Sequence, residues 1–364
     1  MHPLFGADLS TLVRLLSQNG PVSPPNIPIA LAAGLSAVGR LPFTLGERAL
    51  VAWKKRQTAS MPAPIFIVGH WRSGTTHLYN LLTRSDFGYV TPIAAGMPHE
   101  FLTLGRWLRP WLIKMLPKTR YVDQMEVMAD SPQEDEIPLG SMSPISFYHG
   151  IYFPKRFDQH FRRSMFLDGC TSAEIQAWQS AFIRFIDKSW LEHGQRLVIK
   201  NPTYTCRIPL IRNLYPDARF IHIYRNPHHV FRSTRRFYRK LLEQFAWQLF
   251  DHLDIDRFVL EGYGRMMEQI WRDKARLPDH RFAEIRFEDL ERDPLAEIRR
   301  VFAQLELGET DAIEPAMRQY LERVAGFRKT TFEPCDDRRL LVEQHWALFF
   351  ERLGYQSIEA RSSS

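Results

Sequence analysis

Apolar residues recur along this chain with two alternating signatures: short unbroken runs, and longer stretches spaced by three and four. The run Ile65-Phe-Ile-Val68 is too short for a helix and suits a strand covered on both faces. Runs of this kind predict strands near 64–69, 88–92, 196–201, 219–225 and 282–287. Three-four spacing predicts helices at about 75–85, 173–193, 206–214, 228–248, 254–277, 294–305, 312–325 and 337–352. Thr171-Ser-Ala-Glu174 reads as a capping box that opens the second helix, and Gly194 as the residue past its end. Strand and helix in alternation predict an α/β fold, a doubly wound parallel sheet with flanking helices. Its site should lie at the carboxyl ends of the strands.

The first strand leads into Gly69-His-Trp-Arg-Ser-Gly-Thr-Thr76, a turn that opens a helix. Free N–H groups at a helix start attract oxyanions. The two glycines stand as in a nucleotide-binding G-x-x-x-x-G-K-[ST] loop, but Thr75 occupies the lysine position and Arg72 supplies a cation inside the loop. A polyphosphate with Mg²⁺ needs that lysine, so ATP or GTP hydrolysis is disfavoured. Downstream, Arg219-Phe-Ile-His-Ile-Tyr-Arg225 ends a buried strand in a cation, Asn226-Pro227 forms a turn, and Ser233 follows eight residues after Arg225. A guanidinium and a hydroxyl so placed can grip one phosphate together.

These two motifs, in this order, resemble those of sulfotransferases that use 3′-phosphoadenosine 5′-phosphosulfate (PAPS). The resemblance spans roughly residues 62 to 355 and rests mainly on the two phosphate motifs. It implies a P-loop NTPase-like sulfotransferase fold, with Arg72, Ser73, Gly74, Thr75 and Thr76 on the 5′-phosphosulfate and Arg225 and Ser233 on the 3′-phosphate. Leu197-Val-Ile-Lys-Asn-Pro202 is similar to the family's lysine-bearing strand, making Lys200 a candidate to stabilise the transferring group. Ile285-Arg-Phe-Glu-Asp-Leu290 resembles its C-terminal strand and helix, where Glu288 and Asp289 read as structural. Arg328-Lys329 resembles the family's late basic loop, although Thr330 stands where that loop has glycine.

Sulfuryl transfer needs a general base on the acceptor side and cations on the leaving phosphate. Gly96-Met-Pro-His-Glu-Phe101 resembles the segment in which several bacterial and Golgi-type members carry a catalytic glutamate, which makes Glu100 the first choice. His99 competes, because cytosolic small-molecule members use histidine. Asp130-Ser-Pro-Gln-Glu-Asp-Glu136 offers Glu134 or Asp135 as a further base; the plainer reading is a solvated or arginine-bound loop.

Composition narrows the picture without deciding it. The 364 residues, 45% of them hydrophobic, can bury a sizeable core. We expect an N-terminal helical extension over 1–60, one sulfotransferase domain over 61–356 and a disordered tail at 357–364. Proline-punctuated, Trp- and Phe-rich residues 93–170 read as an acceptor-binding insertion. A net charge of +7 suits anionic ligands or an anionic membrane surface, and no nucleic-acid-binding motif accompanies it. Three scattered cysteines and no H-E-x-x-H helix predict neither disulfide framework nor metal site.

No secretory signal pattern opens the chain, and no apolar run reaches the eighteen or so residues of a membrane span, so a cytoplasmic protein is expected. The apolar stretch Ile27 to Gly39, with Lys54-Lys55-Arg56 beyond it, can lie in a membrane interface, cover an apolar tunnel or simply pack. The aromatic insertion leans toward a hydrophobic alcohol, phenol or lipid as acceptor. Two other classes stay open: a divergent kinase or nucleotidase, which should show a loop lysine and a Mg²⁺-binding aspartate, and a noncatalytic nucleotide sensor or scaffold, which would lack the base.

Overall fold

The computed structural model describes residues 2–58, 60–116, 128, 130–326 and 338–356; Arg328, Lys329 and the tail at 357–364 lie outside them. Four strands, β1 (Ile65–Val68), β2 (Val198–Lys200), β3 (Arg219–Tyr224) and β4 (Phe282–Arg286), form one sheet in the order β2-β1-β3-β4. All three pairings are parallel, with Ile65 opposite both Val198 and Arg219 and Phe220 opposite Phe282. The chain runs from β1 outward to β2, then returns across β1 to β3, so the direction of winding reverses between β1 and β3. Ligands of open parallel sheets bind at such a reversal.

The unbroken apolar character of β1 follows from burial on both sides. Phe66 and Val68 join a core with Trp178, Phe182, Phe220 and Tyr204, whereas Ile65 and Ile67 face a second core with Leu78, Leu82, Ile221 and Ile298. Each such side chain contributes about 1.5–3 kcal/mol by leaving water. The first core also takes in Leu4, Leu12, Leu15, Ala30 and Ala33, so the N-terminal helices Leu9–Asn19 and Ile27–Lys55 pack onto the body that carries the sheet.

Helices match the periodic segments closely: Thr75–Leu82, Ser172–His193, Ile208–Leu214, Pro227–Phe245, Ile255–Lys274, Pro294–Gln304, Glu314–Val324 and Arg339–Arg352. Thr171 and Glu174 form the reciprocal capping box, and Gly194 closes that helix at φ +75°.

Two expectations need correction. The strand near 88–92 is a single parallel bridge between Gly88 and Leu197. Val90 cannot extend it, because its N–H donates to the Tyr79 hydroxyl (3.2 Å) and its carbonyl accepts from Gln133 N (2.9 Å). Thr91 then caps a helix starting at Pro92. At the N-terminus the apolar stretch continues into a 29-residue helix that passes through Pro42, and the helical segment Pro24–Lys55 is long and apolar enough to cross a membrane by length and composition.

Candidate active site

The loop after β1 and the helix Thr75–Leu82 are set by backbone shapes that only certain residues adopt easily. Gly69 lies at φ +133°, and a Cβ there would stand 2.3 Å from the Ile223 carbonyl oxygen, so β3 can approach β1 closely only beside glycine. Gly74, at φ +102°, leaves no room for a Cβ against the Phe287 ring. Between them Arg72 holds a left-handed φ of +69°, a strain on the order of 1–2 kcal/mol that the loop sustains. Ser73 Oγ donates to the His70 carbonyl (2.8 Å), and the Gly69 N–H donates to Thr205 Oγ1 (2.8 Å). Burial pushes His70 down to about 4 against its bond with the Trp71 carbonyl, so it is neutral at pH 7 and Arg72 supplies the loop's charge.

The strained Arg72 reaches across the sheet reversal. Its Nε donates to Ser233 Oγ (2.8 Å), which joins the two motifs although 161 residues separate them. Arg225, just past the end of β3, holds its guanidinium 4.2 Å above the Phe287 ring and near enough to Arg72 for their charges to repel. Its Nε is buried and has no hydrogen-bond partner among the described residues. Burial lowers the Arg225 pKa, Glu288 opposing and the nearby Arg72 adding to it. Two guanidiniums, a hydroxyl and a helix N-terminus thus converge on one point, an arrangement that favours a bound anion.

A further cation ends β2, on the other side of β1 from β3. Lys200, 2% exposed, is paired with Glu134. The acidic run is therefore no solvated loop. Asp135 and Glu136 are buried, Asn201 Nδ2 donates to both (2.9 Å each), and the Tyr204 hydroxyl donates to Asp135. Glu136 also accepts from Ser146 Oγ (2.8 Å) and Phe147 N (2.7 Å). Burial raises Asp135 to about 7 despite its bonds from Tyr204 and Asn201. Two carboxylates so deeply engaged fix the segment, and Glu134 is the one of the three left only partly buried, on the lysine at the strand end.

Glu100 and His99 stand elsewhere. Glu100 is fully buried, ion-paired to Arg40 (2.6 Å) and bonded by Thr44, both from the long N-terminal helix. Burial raises its pKa against the pull of Arg40. His99 bonds the Ser141 carbonyl (3.2 Å) and lies 3.9 Å from Asp8; burial lowers it to about 4. It lines a cavity of about 420 Å³ with Glu47, Asp187 and Lys188, to which neither Arg72 nor Lys200 nor Arg225 contributes.

The sulfotransferase family profile matches residues 64–311, which span both phosphate motifs and all four strands. The chain belongs to the sulfotransferase family. Over 314 residues this sulfotransferase is 32% identical to omega-hydroxy-beta-dihydromenaquinone-9 sulfotransferase Stf3 of Mycobacterium tuberculosis, covering 85% of this chain and 80% of that one; the Mycobacterium bovis protein of the same name matches equally. Its fold is similar to sulfotransferase STF9 of Mycobacterium avium (TM-score 0.69, 17% identity, 97% and 98% covered). It is also similar to STF1 of Mycobacterium tuberculosis (0.62, 18%, 93% and 90%).

Sequence reasoning passed over Thr205 and read Glu288 as structural, which agrees with its ion pair to Arg286 (3.5 Å). Glu288 accepts from Asn226 N (3.2 Å) and from the Tyr355 hydroxyl (2.6 Å), so it clamps the turn that carries Arg225. The usable signal for Glu288 was its position just past the end of β4; Thr205 lies in the short 3-10 helix Pro202–Cys206 beyond β2 and carried none. Among the described residues no group of three or more His, Cys, Asp or Glu could hold a metal ion.

Proposed function

We propose that this sulfotransferase moves the sulfuryl group of PAPS to the hydroxyl of an apolar, lipid-like alcohol, with Glu134 as general base. The bond from Arg72 to Ser233, which brings the two motifs together beside Arg225, whose buried Nε has no partner among the described residues, carries the donor reading: a 3′-phosphate satisfies Arg225 and Ser233 while Arg72 faces the 5′-phosphosulfate. The first-turn N–H groups of Thr75 and Thr76 receive the 5′-phosphosulfate. Glu134 accepts the acceptor's proton as its oxygen bonds to sulfur, and the bond from sulfur to the bridging phosphate oxygen breaks. Lys200 and Arg72 then balance the charge left on the phosphate. Glu134 is favoured over Glu100 because it sits on Lys200 and stays partly exposed, whereas Glu100 is sealed against Arg40.

A relative whose name specifies an omega-hydroxylated dihydromenaquinone supports the lipid acceptor, as does the aromatic content of residues 93–170. Calorimetry with 3′-phosphoadenosine 5′-phosphate, against ATP with Mg²⁺, tests the donor. Micromolar binding of the former alone, lost in Arg225→Ala, is expected; preference for ATP would overturn the reading in favour of phosphoryl transfer. Turnover of long-chain alcohols over sugars tests the acceptor.

A further inference from the structure

The helix Ile27–Lys55 carries two stripes of opposite character. Ala30, Ala33, Ala37, Arg40, Thr44, Glu47 and Val51, spaced alternately by three and four, face the body of the protein. Leu31, Leu35, Val38 and Leu45 follow the same spacing on the other side and point outward, Leu35 at 75% and Leu31 at 65% exposure. Thr103 N and Oγ1 both donate to Glu47 (2.8 and 2.7 Å), so the next exposed apolar segment starts on this helix. That segment, Leu104–Met115, exposes Trp107 (76%) and Trp111 (57%). From 101 to 116 the chain holds Arg106, Arg109 and Lys114 and no acidic residue.

We propose that these two segments form a docking surface for an anionic lipid bilayer, with the long helix lying flat in the interface. An apolar helix face, tryptophans at its flank and basic residues around them are what an interfacial segment needs. The inner stripe excludes a span. Arg40 is bound to Glu100 (2.6 Å) and Glu47 to Lys188 (2.5 Å), both pairs buried, and withdrawing the helix into hydrocarbon would strand four charges. The outer stripe lacks any such polar tie, and its leucines meet a bilayer without loss.

The test needs no catalytic readout, so its failure is separate from failure of the acceptor assignment. Full-length protein is sedimented with phosphatidylcholine vesicles and with vesicles containing about one third phosphatidylglycerol. Binding to the anionic vesicles, weakened by salt and released by carbonate, is expected. Leu35→Asp and Trp111→Ser should each weaken it on the order of tenfold. Both variants should keep wild-type melting and wild-type affinity for 3′-phosphoadenosine 5′-phosphate. No vesicle binding, binding that both variants retain, or resistance to carbonate would overturn the proposal. So would a concentration-dependent dimer that Leu35→Asp dissolves, which would name a second copy as the occupant.

Discussion

Exchanging each of two glutamates for glutamine separates catalysis from architecture at this site. Glu134→Gln keeps the shape of a partly exposed side chain on Lys200 but removes the carboxylate proposed to take a proton from the acceptor. A positioned base contributes about 10²–10⁴-fold, so kcat should fall by that factor, about 3–5 kcal/mol of barrier. Affinity for 3′-phosphoadenosine 5′-phosphate should hold or rise, because a negative charge beside the anion has gone. Glu100→Gln instead leaves Arg40 without its counter-charge in the interior, where breaking a pair costs about 3–5 kcal/mol. Melting should drop by roughly 4–7 °C while the folded fraction keeps kcat within a few-fold. Steady-state kinetics, calorimetry and differential scanning on the two variants supply the comparison. A Glu134→Gln enzyme with normal kcat beside a folded, inactive Glu100→Gln enzyme would refute the assignment and restore Glu100.

Three further outcomes are open to measurement. Ser233→Ala removes the partner of Arg72 Nε and one phosphate donor, so affinity for 3′-phosphoadenosine 5′-phosphate should weaken by about 3–10-fold with little change in melting; unchanged affinity would take Ser233 out of the site. Gly69→Ala drives a Cβ into the Ile223 carbonyl at a backbone angle alanine resists, and should lower melting by roughly 5 °C or more as well as donor affinity. Asp135 holds its proton up to about pH 7 when folded, against 3.8 as the reference. At this group the folded state therefore binds more protons than the unfolded one between those values, and the stability Asp135 contributes is lost as pH rises through them. Buried neutral His70 and His99 push the other way below about pH 6.5, so the readout is the difference in urea midpoint between wild type and Asp135→Asn. That difference should shift against the wild type from about pH 4 to about pH 7 and level off above; a difference that does not change with pH would contradict the burial of Asp135.

The two strand-to-helix turns that carry Arg72 and Arg225 were readable because their signals are local: each is a strand end followed by a helix start, and β1 and β3 announce themselves by unbroken apolar runs. What escaped depended on partners far along the chain. Glu100 and Glu134 look alike as isolated carboxylates; Arg40, 60 residues from one, and Lys200, 66 residues from the other, give them different surroundings. The long N-terminal helix was read as a thirteen-residue run because Arg40, Thr44 and Glu47 interrupt its apolarity. Those polar residues belong on its inner face, satisfied by Glu100, Lys188 and Thr103. Val90 likewise carries a strand residue's preference but spends its backbone on Tyr79 and Gln133.

The pairing of β1 with both β2 and β3 also sets a timetable for the nascent chain. Ile65–Val68 leaves the ribosome long before Val198–Lys200 and Arg219–Tyr224, its two neighbours in the sheet, have been made. At about 5–20 residues per second, the intervening stretch keeps β1 unpaired for on the order of ten to thirty seconds. During that interval four consecutive buried-type residues and both strand edges stand open to other chains, the condition under which strands aggregate. Production of soluble enzyme should therefore respond to trigger-type chaperones and to slower growth temperature far more than to any change at the catalytic groups. Truncations ending before residue 224 should accumulate as insoluble protein.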